Sequence, residues 1–189
     1  AFQIKVVLRD SNPVIWRRFL VPADYHLGQL HTIIQMAMGW TNSHLHQFEI
    51  NGKEYASPDY EEELPEKVHN EKKYKLAKVL VEGVKFSYDY DFGDGWRHEL
   101  FTEKLVTLQK KNTGPLCLAG ENACPPEDCG GIHGYYELLE TVKNNKHPDY
   151  EEKKTWLGHF DPAEFDLEDA NVALKKFAKD PDAEWSVGA

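Results

Sequence analysis

The first twenty residues alternate hydrophobic and polar positions in a way that predicts a β-hairpin. Residues 2–9 (FQIKVVLR) place an apolar side chain at every second position, as a strand with one buried face does. Residues 10–13 (DSNP) are typical of a turn, and residues 14–21 (VIWRRFLV) have the composition of a second strand. We therefore predict that the chain opens with two strands paired side by side.

An amphipathic helix is predicted next, and a second hairpin is predicted after it. Within residues 27–40 the apolar side chains fall on one stripe of a helix, and Gly39 suits the left-handed position just after a helix end. The stripe consists of Leu27, Leu30, Ile33, Ile34, Ala37 and Met38. Residues 44–50 (HLHQFEI) predict a strand, and Asn51-Gly52 is a strong signal for a tight hairpin that continues into a short strand.

The middle of the chain predicts an exposed segment and then another pair of strands. Residues 57–73 are polar and interrupted by prolines, so we predict an exposed loop there. A short helical turn is expected around residues 76–80. Residues 84–92 and 96–108 then show strand patterns on either side of a turn signal.

The last third of the chain predicts an irregular segment followed by helices. Residues 112–132 are rich in glycine, proline and cysteine, which disfavours regular structure. Three helices are predicted, at residues 134–144, 149–157 and 167–178. Asp166 is well placed to cap the last of them.

The order of these elements predicts an α+β fold. The order of elements matches that of a β-grasp core: a hairpin, a helix, a strand, a tight turn, a short strand and a later strand. Several other α+β rolls share this order. We predict a β-grasp-like mixed sheet with one packed helix and an extra β-hairpin, followed by a helical C-terminal part. Residues 1–110 would form the core, and residues 111–189 the Cys-rich loop and helices packed on it within one compact domain.

Composition and charge narrow the class of protein. The 189 residues are 41% hydrophobic and carry a formal net charge of −10, with the acidic excess in residues 61–189. This charge argues against sequence-independent nucleic-acid binding, which needs a basic face, and leaves only a local patch around Arg17 and Arg18. No hydrophobic run reaches the roughly 20 residues of a membrane span, and no signal-peptide pattern is visible. We therefore expect a cytoplasmic protein without membrane contact.

The densest chemistry lies in residues 88–100 (YDYDFGDGWRHEL). Asp94-Gly95 between two strand patterns favours a two-residue turn, and that register places Asp91 directly opposite His98. A carboxylate beside an imidazole can orient a general base or a metal-binding histidine. The alternative is a surface ion pair that fixes the register of the two strands.

A pair of histidines, His44 and His46, forms a second candidate site. Two positions apart on a strand, they share one side, where the buried face runs out towards the strand end. There they could line the mouth of a pocket or chelate one metal ion. Alternatively, each ring hydrogen-bonds a backbone carbonyl at the edge of the core.

A cysteine cluster forms the third candidate. Cys117, Cys124 and Cys129 are followed by His133, and thiolate and imidazole ligands suit tetrahedral zinc. The spacing is not that of a zinc knuckle. The alternatives are free buried thiols or a disulfide between Cys117 and Cys124.

Five blocks of sequence carry a resemblance to a known family. They are IWRRFLVP, LGQLHTIIQMAMGWTNSHLHQFEI, YDYDFGDGWRHEL, CLAGENACPPEDCGGIHGYYELL and FDPAEFDLEDAN. In these blocks the chain resembles the Ri-plasmid (pRiA4b) ORF-3-like family, small proteins of plasmids, bacteria and archaea that also occur as passengers of insertion sequences. The resemblance brings no activity with it. It implies that the histidine block, the aspartate-rich turn and the cysteines belong to the family pattern, whereas His133 lies outside it.

Three hypotheses of function follow. The first is a non-catalytic binding or adaptor module for a protein or small-molecule ligand, with Asp94, Trp96 and Arg97 as contact residues. The second is a metal-dependent, zinc-type hydrolase, and its candidate residues are His44, His46, Asp91 and His98. The third is a DNA-related accessory role in mobile elements, which the family's association with insertion sequences favours and the acidic charge disfavours.

Overall fold

Eight strands and five α-helices make up the computed structural model, which describes residues 1–58, 65–107 and 114–183. The strands are β1 (Phe2–Leu8), β2 (Trp16–Val21), β3 (His46–Ile50), β4 (Lys53–Ala56), β5 (Val68–Asn70), β6 (Lys85–Tyr90), β7 (Trp96–Leu105) and β8 (Leu116–Glu121). The helices are α1 (Leu27–Met38), α2 (Leu76–Val79), α3 (Gly131–Lys143), α4 (Tyr150–Leu157) and α5 (Leu167–Phe177). A short 3-10 turn, Glu71–Lys73, lies between β5 and α2.

All eight strands belong to one mixed sheet, in the order β5-β4-β3-β6-β7-β1-β2-β8. Neighbouring strands are antiparallel except β4 and β5, which are parallel. Because β7 is antiparallel to both β1 and β6, β6 runs in the direction of β1 with β7 between them. The α+β prediction is therefore confirmed.

Helix α1 packs its predicted apolar stripe into the core. Leu27, Leu30, Ile33 and Ile34 are fully buried, and Gly39 ends the helix in the left-handed region at φ 83°. At the other end of the helix, the side chain and backbone of His26 form a reciprocal pair of hydrogen bonds with Gln29. Helix α5 packs against α1 and β8.

The predicted register of the β6–β7 hairpin is wrong. Tyr88 lies opposite His98 and Tyr90 opposite Trp96, so residues 91–95 form a five-residue connection in place of a two-residue turn. The observed pairing gathers Tyr88, Tyr90, Trp96 and His98 on one buried face. Burial of a whole face specifies register more strongly than the local preference of Asp94-Gly95. Asp91 therefore does not face His98.

Two segments predicted to be irregular contain strands. Within residues 57–73, β5 pairs with β4 and is followed by a buried Glu71, whereas residues 59–64 lie outside the described residues. Within residues 112–132, β8 pairs with β2. Both are short edge strands. The partner of β8 is in the first hairpin of the chain and β5 pairs in parallel with β4, so no turn signal marks either pairing in the local pattern.

Helices long and apolar enough to cross a membrane are absent from the part of the chain that the structure describes.

Candidate functional site

A polar cavity of about 660 Å³ opens between the start of α1, the segment before β3, the 3-10 turn and residues 181–183. Four histidines and a glutamate contribute to its wall: His26, His31, His44, His46 and Glu71. We refer to this cavity as the histidine pocket. Its volume lies in the range of small-molecule sites, roughly 300–1,000 Å³.

His46, at the start of β3, forms a buried pair with Glu71. Its Nε2 lies 2.8 Å from Glu71 Oε2, and the two side chains are only 7% and 2% exposed. The 3-10 turn brings the glutamate there from 25 positions along the chain. A buried carboxylate held against an imidazole fixes the orientation of the ring.

His31 is stacked face to face on His46, with ring centroids 3.5 Å apart and planes 5° from parallel. A closed ring of hydrogen bonds holds it. Gln35 Nε2 donates to the Tyr88 hydroxyl, Tyr88 donates to His31 Nδ1, and His31 Nε2 donates to Asn42 Oδ1. The backbone N–H of Asn42 closes the ring by donating to Gln35 Oε1.

Burial keeps the His31 ring in its neutral form. Desolvation, and then the charge of His46 beside it, holds the pKa of His31 well below its usual value. Burial raises the pKa of Tyr88 well above its usual value, so the phenol keeps its proton and donates a hydrogen bond to the imidazole of His31. His31 therefore forms a rigid, uncharged support for His46.

His44 lies beside two aspartates at the rim of the pocket. Its Nε2 is 3.1 Å from Asp128 Oδ1 and 3.7 Å from Asp91 Oδ2. All three ligand atoms lie within 4.8 Å of one another, and no other group of three histidine, cysteine, aspartate or glutamate side chains among the described residues does so. His44 Nε2 is shielded from solvent and makes no hydrogen bond with the described residues.

His98, the fourth residue of the hydrolase hypothesis, lies away from this site. It is fully buried, edge-on to Trp40 at a centroid distance of 5.4 Å. Its Nδ1 lies 3.1 Å from the carbonyl oxygen of Tyr88. Burial lowers the pKa of His98 to about 4, so the ring is neutral at pH 7. The structure thus brings His44 to Asp91 and leaves His98 in the core.

The three contact residues predicted on the β6–β7 hairpin have different surroundings. Trp96 is 1% exposed and packs near Trp40, so the prediction that it is a surface anchor is wrong. The carboxylate of Asp94 accepts the N–H of Gly130, at 3.1 Å, and thereby joins the hairpin to the start of α3. Arg97 is exposed. The predicted register placed Trp96 on the face that carries Asp91, whereas the observed register places it opposite Tyr90 on the buried face.

The three cysteines and His133 are not assembled into a metal site among the described residues. Cys117 lies on β8 and Cys124 is buried in the core, whereas His133 lies on the exposed face of α3. The three thiols are unbridged. Burial raises the pKa of Cys117 to about 11 and that of Cys129 to about 12, which disfavours the thiolate that zinc requires. The alternative of free buried thiols agrees with this arrangement.

Sequence reasoning missed three residues of the site: His31, Glu71 and Asp128. His31 carried a signal, because it interrupts the apolar stripe of α1 on its buried side, four residues after Leu27. Glu71 and Asp128 carried none, because each comes from a polar segment and meets its partner only in the folded chain.

Together, the fold and this site define an α+β protein with a polar pocket walled by stacked and paired histidines. The family model described as plasmid pRiA4b ORF-3-like protein matches residues 1–169. The chain belongs to this family, so the predicted resemblance is confirmed.

Two similar proteins illustrate the extent of the match. The chain is 37% identical over 186 residues to uncharacterized protein y4hQ of Sinorhizobium fredii, covering 97% of this chain and 93% of that protein. It also resembles the crystal structure of MM3350, a protein of unknown function from Methanosarcina mazei Go1, with 35% identity and a TM-score of 0.80. That match covers 89% of this chain and 96% of the other.

Proposed function

We propose that the protein is a non-catalytic binding module that holds a small polar ligand in the histidine pocket. The observation that carries this proposal is the buried His46–Glu71 pair, stacked on a neutral His31 at the pocket wall. Burying two ionisable groups costs several kcal/mol each, and a buried ion pair often stabilises a fold no better than hydrophobic residues would. A pair kept at the wall of a cavity therefore supports a role in binding.

The pocket wall indicates the chemistry of the ligand. Besides the histidines it presents the amide of Asn42 and the hydroxyls of Thr32, Ser43 and Ser57. These groups both donate and accept hydrogen bonds. They favour a water-soluble molecule with several polar groups over an apolar ligand, and the concave shape favours a small molecule over a protein surface.

A pocket-filling variant tests this proposal. Thr32→Trp would fill the cavity from α1, and Thr155→Trp on α4 is its matched control, because both threonine hydroxyls donate to the carbonyl four residues earlier in a helix. Small molecules would be extracted from freshly purified protein and identified by mass spectrometry. Each would then be added back in thermal-shift assays.

We expect wild type and Thr155→Trp to bind the same compound and Thr32→Trp to lose it. At a concentration 100 times its Kd, a ligand stabilises by about 2.7 kcal/mol, which corresponds to a Tm rise of roughly 5–11 °C for a chain of this length. Recovery of no compound from wild type, or equal binding by Thr32→Trp, would contradict the proposal.

Metal-assisted hydrolysis is a second candidate, favoured by the proximity of His44, Asp91 and Asp128. A divalent cation lowers the pKa of a bound water molecule towards neutrality, and His46, oriented by Glu71, lies in the same pocket as a group that can transfer protons. Hydrolysis of p-nitrophenyl esters and phosphates would be measured with Mn²⁺ or Zn²⁺ present. If the wild-type protein hydrolyses these substrates no faster than His46→Gln does, the hydrolase hypothesis is contradicted.

The DNA-related role has less support. Arg17 is 2% exposed and donates to backbone carbonyls, including that of Ala37. Arg18 is paired with Glu103 through two hydrogen bonds of 2.8 Å. The basic patch considered in the sequence is therefore engaged within the protein, and the net charge remains −10.

A further inference from the structure

We propose that His44, Asp91 and Asp128 form a binding site for one divalent transition-metal cation at the rim of the histidine pocket. The site would offer one imidazole nitrogen and two carboxylate oxygens. This inference goes beyond ligand binding and does not depend on it, because it rests on the geometry of three side chains outside the His46–Glu71 pair.

The separations of the ligand atoms suit a metal ion. In protein sites nitrogen and carboxylate ligands lie about 2.0–2.2 Å from zinc, which places two ligand atoms about 3.0–3.5 Å apart at octahedral or tetrahedral angles. His44 Nε2 lies 3.1 Å from Asp128 Oδ1 and 3.7 Å from Asp91 Oδ2. The ligand atoms of all three side chains lie within 4.8 Å of one another, so small side-chain rotations would bring them to ligand distance of one ion.

The Nε2 atom of His44 is a second, independent indication. It is cut off from solvent, and although carboxylate oxygens lie on two sides, it has no hydrogen bond within the described residues. A buried polar atom without a partner destabilises the folded chain, because it has lost its hydrogen bonds to water without gaining others. A cation between the three side chains would supply that partner, whereas the observed ion-pair geometry does not.

Backbone and side-chain hydrogen bonds hold the three ligand segments together. The N–H of Asp91 donates to the carbonyl of Leu45, which ties the hairpin loop to the segment of His44. The carboxylate of Asp94 accepts the N–H of Gly130, which ties the same loop to the segment of Asp128. The ligands are therefore preorganised by contacts next to each of them.

Asp91 is itself oriented for this role. Its Oδ1 accepts the N–H groups of Gly93, at 3.0 Å, and of Asp94, at 3.3 Å, so that Oδ2 is the oxygen turned towards His44. The residue is 8% exposed. A buried carboxylate oxygen beside an imidazole suits a doubly charged ion, which two carboxylates neutralise.

The mixture of ligands identifies the class of ion. Imidazole suits zinc, iron, copper and nickel, whereas carboxylates suit manganese and magnesium, so a first-row divalent ion such as Zn²⁺ or Mn²⁺ satisfies both. Three protein ligands leave coordination positions for water or for a ligand in the pocket.

The test is metal binding by the full chain after treatment with a chelator. Zn²⁺ and Mn²⁺ would each be titrated by calorimetry, with bound metal checked by elemental analysis. The variants are His44→Gln and Asp128→Asn, the second at an exposed carboxylate whose loss does not threaten folding. The matched control is His147→Gln with Asp149→Asn, an exposed histidine–aspartate pair 3.9 Å apart before α4.

We expect one equivalent of at least one of the two ions to bind wild type and the control equally, and each site variant to bind at least about tenfold more weakly. Absence of binding of both ions to wild type would overturn the inference. Binding by the site variants as tight as by wild type would also overturn it, since the ion would then lie on other residues, such as the thiols. Thr32→Trp should keep the metal while losing the pocket ligand, so failure of one proposal is distinguishable from failure of the other.

Discussion

Removal of the Tyr88 hydroxyl tests the closed ring of hydrogen bonds that supports the histidine pocket. In Tyr88→Phe the acceptor nitrogen of His31 and the donor Nε2 of Gln35 both lose their partner in a fully buried environment. Each unsatisfied buried group costs about 1–3 kcal/mol, and the two losses are coupled, so we expect a total of roughly 2–4 kcal/mol. For a chain of this length the Tm should fall by roughly 5–15 °C.

Urea denaturation followed by circular dichroism measures this change in the free energy of unfolding. Tyr55→Phe is the control, because Tyr55 is 3% exposed and its hydroxyl makes no hydrogen bond with the described residues. His31→Phe provides a double-mutant cycle, since in its background Tyr88→Phe no longer leaves an imidazole nitrogen unpaired. A loss no larger than that of Tyr55→Phe, or strict additivity with His31→Phe, would show that the ring does not exist as described.

Three further predictions concern titration, thiol reactivity and backbone fit. Burial lowers the pKa of His98 to about 4, whereas an unfolded histidine titrates near 6.5, so protonation favours the unfolded state as the pH falls. His98 should account for a loss of stability of roughly 3 kcal/mol between about pH 6.5 and 4, and urea titrations of His98→Phe should lack that share of the dependence while keeping the share of His31. Burial also raises the pKa of Cys124, so iodoacetamide at pH 8 should alkylate this thiol slowly in the native protein and rapidly in denaturant. Peptide mapping measures the extent of alkylation, and rapid alkylation of Cys124 in the native protein would contradict its burial. Gly131→Ala should destabilise the protein more than Gly39→Ala, although both glycines have positive φ. A Cβ at residue 131 would meet the carbonyl oxygen of Asp94 at 2.2 Å, whereas one at residue 39 would meet nothing within 4 Å. Equal losses of Tm in thermal melts would refute this prediction.

The periodicity of the sequence correctly predicted those helices and strands that bury one face against the core or that end in a turn defined by neighbouring residues. The apolar stripe of α1 and the alternation in β1 each report a single buried face, and the structure buries those side chains. Gly39 and the turn at Asn51-Gly52, where both residues have positive φ, followed from backbone chemistry alone.

The same local reasoning failed where two preferences competed. Asp94-Gly95 favours a tight turn, but five residues connect β6 to β7 because that register buries Tyr88, Tyr90 and Trp96 on one face. Turn preference is a property of a few residues, whereas burial of three aromatic rings involves the whole sheet and is worth several kcal/mol more.

The sequence by itself determined the α+β class, the family and the place of His46 at the end of a strand, whereas His44, predicted on the same strand, lies just before it. Only the tertiary structure decided their partners: Glu71 for His46, and Asp91 with Asp128 for His44. These carboxylates lie in polar segments whose local pattern is that of ordinary solvated loops. Long-range strand pairing and loop-to-loop hydrogen bonds, which no local periodicity records, bring them to the imidazoles.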